Sequence, residues 1–417
     1  MNRRRLTVVT LAVLANMAVL LSSAAAQEKA AEPEPYKPVE WNNGLQYRSE
    51  DGNVMFRLGG YLQADGWFFL DDKDELATDS FFIRRGRILL DAAFWKRFEF
   101  RFQPDFSQGK ITLFDAYIDI VINPAFRLRT GKAKTPVGLE RLQSATNLTM
   151  VERAQPTNLV PVRDIGVQAL GTFAKGTVSY MAGVLNGVPD AVNGELDTDD
   201  GKDGEARIFA LPWKNSSSPK LQGLGFGVAG SFGNSQGTLP VYRTAGLSTY
   251  FQYLTTSTAD GRRARFNPSL YYYSGPFGFM TEYVESEQGV SDGTTQDEMH
   301  NRAYMFTSMW TVSGGDSSFE GVTAEHPMGP KEGGLGALQL ALRYSALRVD
   351  DAAFPVYADP DAAARRAGAW GLGINWIMNY NVRLSFQYEW TQFLGGAAAG
   401  ANREDENAAL LQLQFRL

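Results

Sequence analysis

NVRLSFQYEW, Asn381 to Trp390, alternates without a break. Val382, Leu384, Phe386, Tyr388 and Trp390 fall on one side of an extended chain, and Asn381, Arg383, Ser385, Gln387 and Glu389 fall on the other. Successive side chains of a strand point to opposite faces, so this segment has one apolar and one polar face. FEFRFQPD behaves in the same way: Phe98, Phe100 and Phe102 oppose Glu99, Arg101, Gln103 and Asp105. At the C-terminus Leu411, Leu413, Phe415 and Leu417 oppose Gln412, Gln414 and Arg416. An antiparallel sandwich with one wet face has this period. A membrane barrel, with lipid outside and water inside, has it too.

The N-terminus decides between the two. Arg3, Arg4 and Arg5 precede an apolar run from Leu6 to Leu21, and Ala24-Ala25-Ala26 offers a small-residue cleavage site before Gln27. Residues 1–26 therefore read as an export signal. No Cys follows the cleavage site, so the chain is not a lipid-anchored precursor. Beyond it no apolar run approaches the ~18 residues of a membrane helix. An exported chain whose last strand is amphipathic and carries an aromatic at Phe415 fits an outer-membrane barrel. The expected fold is all-β: a transmembrane antiparallel β-barrel of about sixteen strands, the even number that places both termini in the periplasm. Residues 27–52 read as a short periplasmic leader and 53–417 as the barrel.

The absence of cysteine removes disulfides, thiol catalysis and thiolate metal sites. The two histidines, His300 and His326, carry no supporting motif for a Ser-His pair of the kind a barrel lipase needs. Neither an enzyme nor a cofactor protein is expected, and nothing points to nucleic acid. Without the signal, 37 Lys and Arg face 46 Asp and Glu, so any preference for anions must come from where charges sit.

Sixteen strands require that Thr249–Leu254 belong to an external loop. One connection, 314–334, is then unusually long for the periplasmic end. Between the fifth and sixth strands, Val137–Ile165 has no clear period; a wide barrel leaves room for such a loop to fold inward and narrow the lumen.

A Lys or Arg on the lipid face at mid-membrane costs ~2–4 kcal/mol, so in-strand cations should face the lumen. Parity places Arg57, Arg85, Arg87, Arg101, Arg127 and Arg129 inside. Lys132 and Lys134 join them if Gly131 shifts the strand as a β-bulge. Phe82, Ile88 and Leu90 are expected outside. No single parity puts both Arg84 and Arg85 in the lumen.

Longer motifs make the chain familiar. FRLGGYLQADG (56–66), SFFIRRGRILLD (80–91), FRFQPDF (100–106), DAYIDI (115–120), RTGKAKTPVGLERLQSATNLTMVERA (129–154), RDIGVQALG (163–171) and TADGRRARFNPSLYYYSGPFGFMTEYV (258–284) together resemble the phosphate-selective porin O/P family. The resemblance implies a sixteen-stranded porin of the outer membrane, usually a trimer, whose narrow pore hands anions along arginine and lysine residues. Phosphate or polyphosphate is the characteristic solute. It also implies an acid that shapes the central site, for which Asp119 is the candidate. Phosphate-selective members carry extra lysines in the constriction loop, whereas Gly138–Asn158 holds only Arg141 and Arg153, each beside a Glu. A weaker positive field is expected there, and the acidic stretch Asp190–Arg207, an expected external loop, should repel anions. The alternative is a general or cation-preferring porin on the same scaffold.

Overall fold

A computed structural model describes residues 38–41, 43–73, 77–197, 199–330 and 333–417. The expected export signal and residues 27–37 of the leader lie outside the described residues. Sixteen strands form one antiparallel sheet: β1 Val54–Leu70, β2 Ser80–Phe94, β3 Phe98–Asp105, β4 Thr112–Asn123, β5 Phe126–Ala133, β6 Asp164–Phe173, β7 Val178–Leu185 and β8 Asp203–Ala210, then β9 Leu224–Gly237, β10 Thr258–Ser274, β11 Phe277–Ser291, β12 Gln296–Ser313, β13 Ala337–Arg348, β14 Ala364–Ile377, β15 Val382–Ala397 and β16 Glu406–Arg416. Each pairs with its neighbour in sequence, and β16 pairs with β1 through Gln414 and Gln63, closing the barrel.

The decisive alternation is inverted relative to a soluble protein. In β15 Gln387 is 0% and Glu389 2% exposed, while Phe386 is 39% and Trp390 37% exposed. Apolar rings outside and polar groups inside exclude the sandwich and fit a wall between lipid and a polar lumen. Among the described residues no helix is long and apolar enough to cross a membrane.

Part of the expected leader is structured. Val39–Trp41 and Leu45–Arg48 make a hairpin that pairs with β1 from Leu58 to Met55, where β16 has already ended at Tyr61. It covers backbone groups that would otherwise form an open edge. Thr249–Gln252 does not span; it pairs with Val241–Arg243 in a separate two-stranded sheet. That sheet buries Tyr242, Tyr250 and Phe251 against Val137, Leu159 and Val160 in the mouth of the barrel.

The long periplasmic connection also has a physical explanation. Part of it, residues 317–322, turns up toward the lumen: Ser317 N–H donates to the Gly275 carbonyl (2.9 Å) and the Phe319 ring stacks on Tyr271 at 5.2 Å. Its length serves that inward path.

Two parity expectations change. The bulge lies in β2, not in β5. Gln63 pairs with Arg85 and Ala64 with Ile83, so Arg84 and Arg85 together oppose a single residue. A bulge reverses the facing of everything beyond it. Phe82 therefore points inward and packs edge-on against Trp67, while Ile83 is exposed in its place. At Gly131 the ladder runs unbroken, with Tyr117 on one side and Gly166 on the other. Glycine is needed there for another reason: its φ is +118°, and a Cβ would meet the Ala116 carbonyl oxygen at 2.3 Å. Gly131→Val is expected to cost roughly 1–3 kcal/mol for the backbone alone, with the clash added. A lowered urea midpoint of the refolded barrel, followed by tryptophan fluorescence, checks this.

Candidate functional site

The loop after β5, residues 134–163, crosses the barrel interior. Irregular backbone at this depth is tolerated only where its polar groups find partners. The wall supplies them. Asn267 of β10 accepts from Gly138 N–H (2.9 Å), and Glu282 of β11 accepts from Leu139 N–H (2.7 Å). Arg343 of β13 donates to the Glu152 carbonyl (2.7 Å), Asn375 of β14 to the Thr149 carbonyl (2.7 Å), and Arg383 of β15 to the Leu148 carbonyl (3.0 Å). Gln63 of β1 donates to the Ala145 carbonyl (3.1 Å), and from below Gln143 Nε2 reaches the Phe319 carbonyl (2.7 Å). The loop is thus stapled to β10, β11, β13–β15 and β1, and its other side faces the wall built by β2 to β6.

Between that side and the wall lies a cavity of about 620 Å3. Its lining includes nine cations, Arg84, Arg85, Arg87, Arg101, Lys134, Arg141, Arg153, Arg163 and Arg243, against three acids, Asp115, Glu152 and Asp190. The chain as a whole is acidic, so this basic lining is a property of placement.

Eight of these nine cations, all but Arg243, fall into two kinds. Those on the wall have counter-charges. Arg84 and Arg85 share Glu152 (2.6 and 2.9 Å), which the bulge in β2 makes possible. Arg87 pairs with Asp105 (2.7 Å) and lies 3.6 Å over the Phe114 ring. Arg101 pairs with Asp91 (2.7 Å), which Arg57 also contacts, and Arg163 pairs with Asp115 (2.6 Å). Nearer the periplasmic end, outside the cavity, Arg127 binds Glu99 (2.6 Å) and Asp119 (3.0 Å), and Arg129 binds Asp119 (2.8 Å).

Lys134, Arg141 and Arg153 are of the second kind. Lys134 Nζ donates to the carbonyls of Leu142 and Gln143 (2.6 and 3.1 Å). Arg141 donates to the Thr157 carbonyl (2.7 Å), and its Nε is buried without a partner. Arg153 donates to the carbonyls of Glu140 and Gln143 (3.3 and 3.0 Å). Among the described residues none of the three joins an ion pair. Burial, and next the Arg163 charge, pushes Arg141 down to about 10; burial also pushes Lys134 and Arg153 well below their usual values, with neighbouring arginines adding to the effect. An anion in the cavity would relieve that repulsion.

The acids adjacent in sequence make no ion pair with the loop arginines. Glu140 turns away to the Ala154 N–H (2.8 Å) and toward Arg343 (3.6 Å), while Glu152 is held by Arg84 and Arg85. Lys134, at the root of the loop, supplies a lysine that the window Gly138–Asn158 lacks.

Other placements differ from expectation. Lys132 stays on the outer parity, in register with Ala116 and Ile165, and pairs with Glu195 (2.9 Å). Asp119 is committed to Arg127 and Arg129, outside the cavity, whose acids are Asp115, Glu152 and Asp190. Arg163 belongs to the segment RDIGVQALG, but only its contact with Asp115 and its place in the cavity lining single it out. Asp190 is not purely external: it pairs with Arg265 (2.6 Å), and Asp203 with Arg263 and Arg265, which weakens their repulsion of anions. Outside the lumen, Glu287, Glu298 and His300 bring ligand atoms within 4.8 Å of one another near the external rim.

Residues 56–417 match the family described as phosphate-selective porin O and P. Porin O of Pseudomonas aeruginosa is 23% identical over 387 residues, covering 84% of this chain and 86% of that one. Similar solved folds include the trimer form of OmpT of Vibrio cholerae, at 12% identity and TM-score 0.57 over 88% of this chain and 100% of that one. The outer-membrane channel DcaP of Acinetobacter baumannii has 11% identity and TM-score 0.58 over 89% and 99%. An anion-selective porin from Comamonas acidovorans has 10% identity and TM-score 0.55 over 87% and 100%.

Proposed function

The chain belongs to the phosphate-selective porin O and P family of the outer membrane, and on that premise we propose that its lumen selects small inorganic anions at Lys134, Arg141 and Arg153, with phosphate as the preferred solute. The observation that carries this reading is the contrast between three cations held only by backbone carbonyls and a surrounding wall of ion-paired arginines. Carbonyl dipoles position the cations without cancelling their charge. Guanidinium groups fork onto phosphate oxygens, and an ammonium adds a compact charge. The paired arginines Arg85, Arg87 and Arg101 flank this centre as weaker stations, because an arriving anion competes with their carboxylates. Stations of moderate strength let an ion leave as well as enter. The working unit is a homotrimer, in keeping with the trimer form of the OmpT fold.

The test is the reversal potential of the purified protein in a planar bilayer under a KCl gradient, followed by titration with phosphate. Anion-side reversal and a chloride current that falls with millimolar phosphate are expected. Cation-side reversal overturns the anion reading. An anion current indifferent to phosphate removes phosphate as the preferred solute.

A further inference from the structure

The outer face of the barrel carries a second group of arginines that the channel does not use. Arg302 of β12, Arg348 of β13 and Arg366 of β14 stand directly opposite one another on adjacent strands. All three point away from the lumen, with the Arg302 and Arg348 side chains 58% and 64% exposed. Like charges directly opposite on a sheet are destabilising, so the row asks for a ligand or counter-charge. Two carboxylates answer in part: Glu285 accepts from Arg302 (3.0 Å), and Asp351 pairs with Arg348 (2.6 Å) and Arg365 (3.3 Å). Four guanidinium groups therefore share two ion-paired carboxylates.

The position of the row says what lies against it. It sits at the external ends of its strands. Four residues nearer the periplasm, Phe306, Tyr344 and Trp370 are again in register on the same face. Tyr344 lies 4.7 Å from the Trp370 ring and accepts a hydrogen bond from Arg366 (2.8 Å). Below these, Leu342 and Leu372 are 46% and 55% exposed. Aromatic side chains of a membrane barrel mark the boundary between hydrocarbon and headgroups. An arginine row one step above that boundary meets headgroups, and guanidinium forks match phosphate.

We propose that Arg302, Arg348 and Arg366, supported by Arg365, dock the phosphate groups of a phosphorylated lipid in the outer leaflet. The site is independent of the anion path, since it faces the opposite side of the wall.

The test compares retention of bisphosphorylated lipid A and of its dephosphorylated form by the purified full-length porin, read by native mass spectrometry. The phosphorylated lipid is expected to be retained at least tenfold more, and millimolar inorganic phosphate is expected not to displace it. Replacing the row as Arg302→Gln, Arg348→Gln and Arg366→Gln is expected to abolish the difference, with single-channel conductance unchanged. Equal retention of the two lipids by the unaltered protein overturns the proposal without reliance on any variant. Full retention by the triple variant, or displacement by free phosphate, overturns it too. A spontaneous disulfide between protomers carrying Arg348→Cys would place a second copy on this face and have the same effect.

Discussion

With Lys134, Arg141 and Arg153 all replaced by glutamine, the anion-to-cation permeability ratio in a KCl gradient is expected to fall at least about tenfold, equivalent to ~1.4 kcal/mol. The size of the effect follows from the pairing pattern. Arg84 and Arg85 answer to Glu152, Arg87 to Asp105, Arg101 to Asp91 and Arg163 to Asp115. Once the three carbonyl-held cations are gone, the wall arginines that remain each have an ion-pair partner, so the unpaired positive charge lining the cavity falls sharply. Glutamine amides can still donate to the Gln143 and Thr157 carbonyls, so the loop keeps much of its internal bonding. The control is Arg127→Gln with Arg129→Gln, outside the cavity, for which the ratio is expected to hold. A triple variant that stays as anion-selective as the parent would show that the paired wall, and not the loop root, governs selectivity.

Glu152→Gln is expected to release the loop. Its carboxylate holds Arg84 and Arg85 at 2.6 and 2.9 Å, with the Glu152 side chain only 7% exposed. Removing one partner of a buried pair costs about 3–5 kcal/mol, because the remaining charges stay buried without compensation. Here two arginines are stranded at once. Faster hydrogen exchange over residues 143–155 and noisier single-channel currents are the expected signs; unchanged exchange would refute the pinning role. The acid dependence of the parent has a definite sign. Burial raises the Glu152 pKa, but Arg84 and Arg85 more than offset it and hold the group down to about 2. A group with a depressed folded value stabilises the docked loop above the ordinary carboxylate range and loses that contribution as pH falls toward 2. The depression corresponds to on the order of 3 kcal/mol. Loop docking should therefore persist at pH 5 and weaken only between about pH 4 and 2.

Much of the site was legible in part. Parity places Arg57, Arg85, Arg87, Arg101, Arg127 and Arg129 on the inner face, because a charge facing lipid is costly wherever it occurs in a strand. The same rule is blind to bulges. It looked for the extra residue at Gly131, where glycine serves a positive φ, and left Arg84 without a place, where the bulge lies. Adjacency misled in the loop: Glu140 and Glu152 neighbour Arg141 and Arg153 in the chain, but each is taken by an arginine from elsewhere in the barrel.

By itself the sequence determined the barrel and the strand number. Those follow from a period of two residues, from the cost of charge in lipid and from strand lengths, all of which act locally. Only the tertiary structure decided which cations keep their charge. That depends on contacts such as Arg343 to Glu152, 191 residues apart, and Arg85 to Glu152, 67 apart. No local period encodes such meetings; closure of the barrel and the stapling of the loop to its wall bring them about.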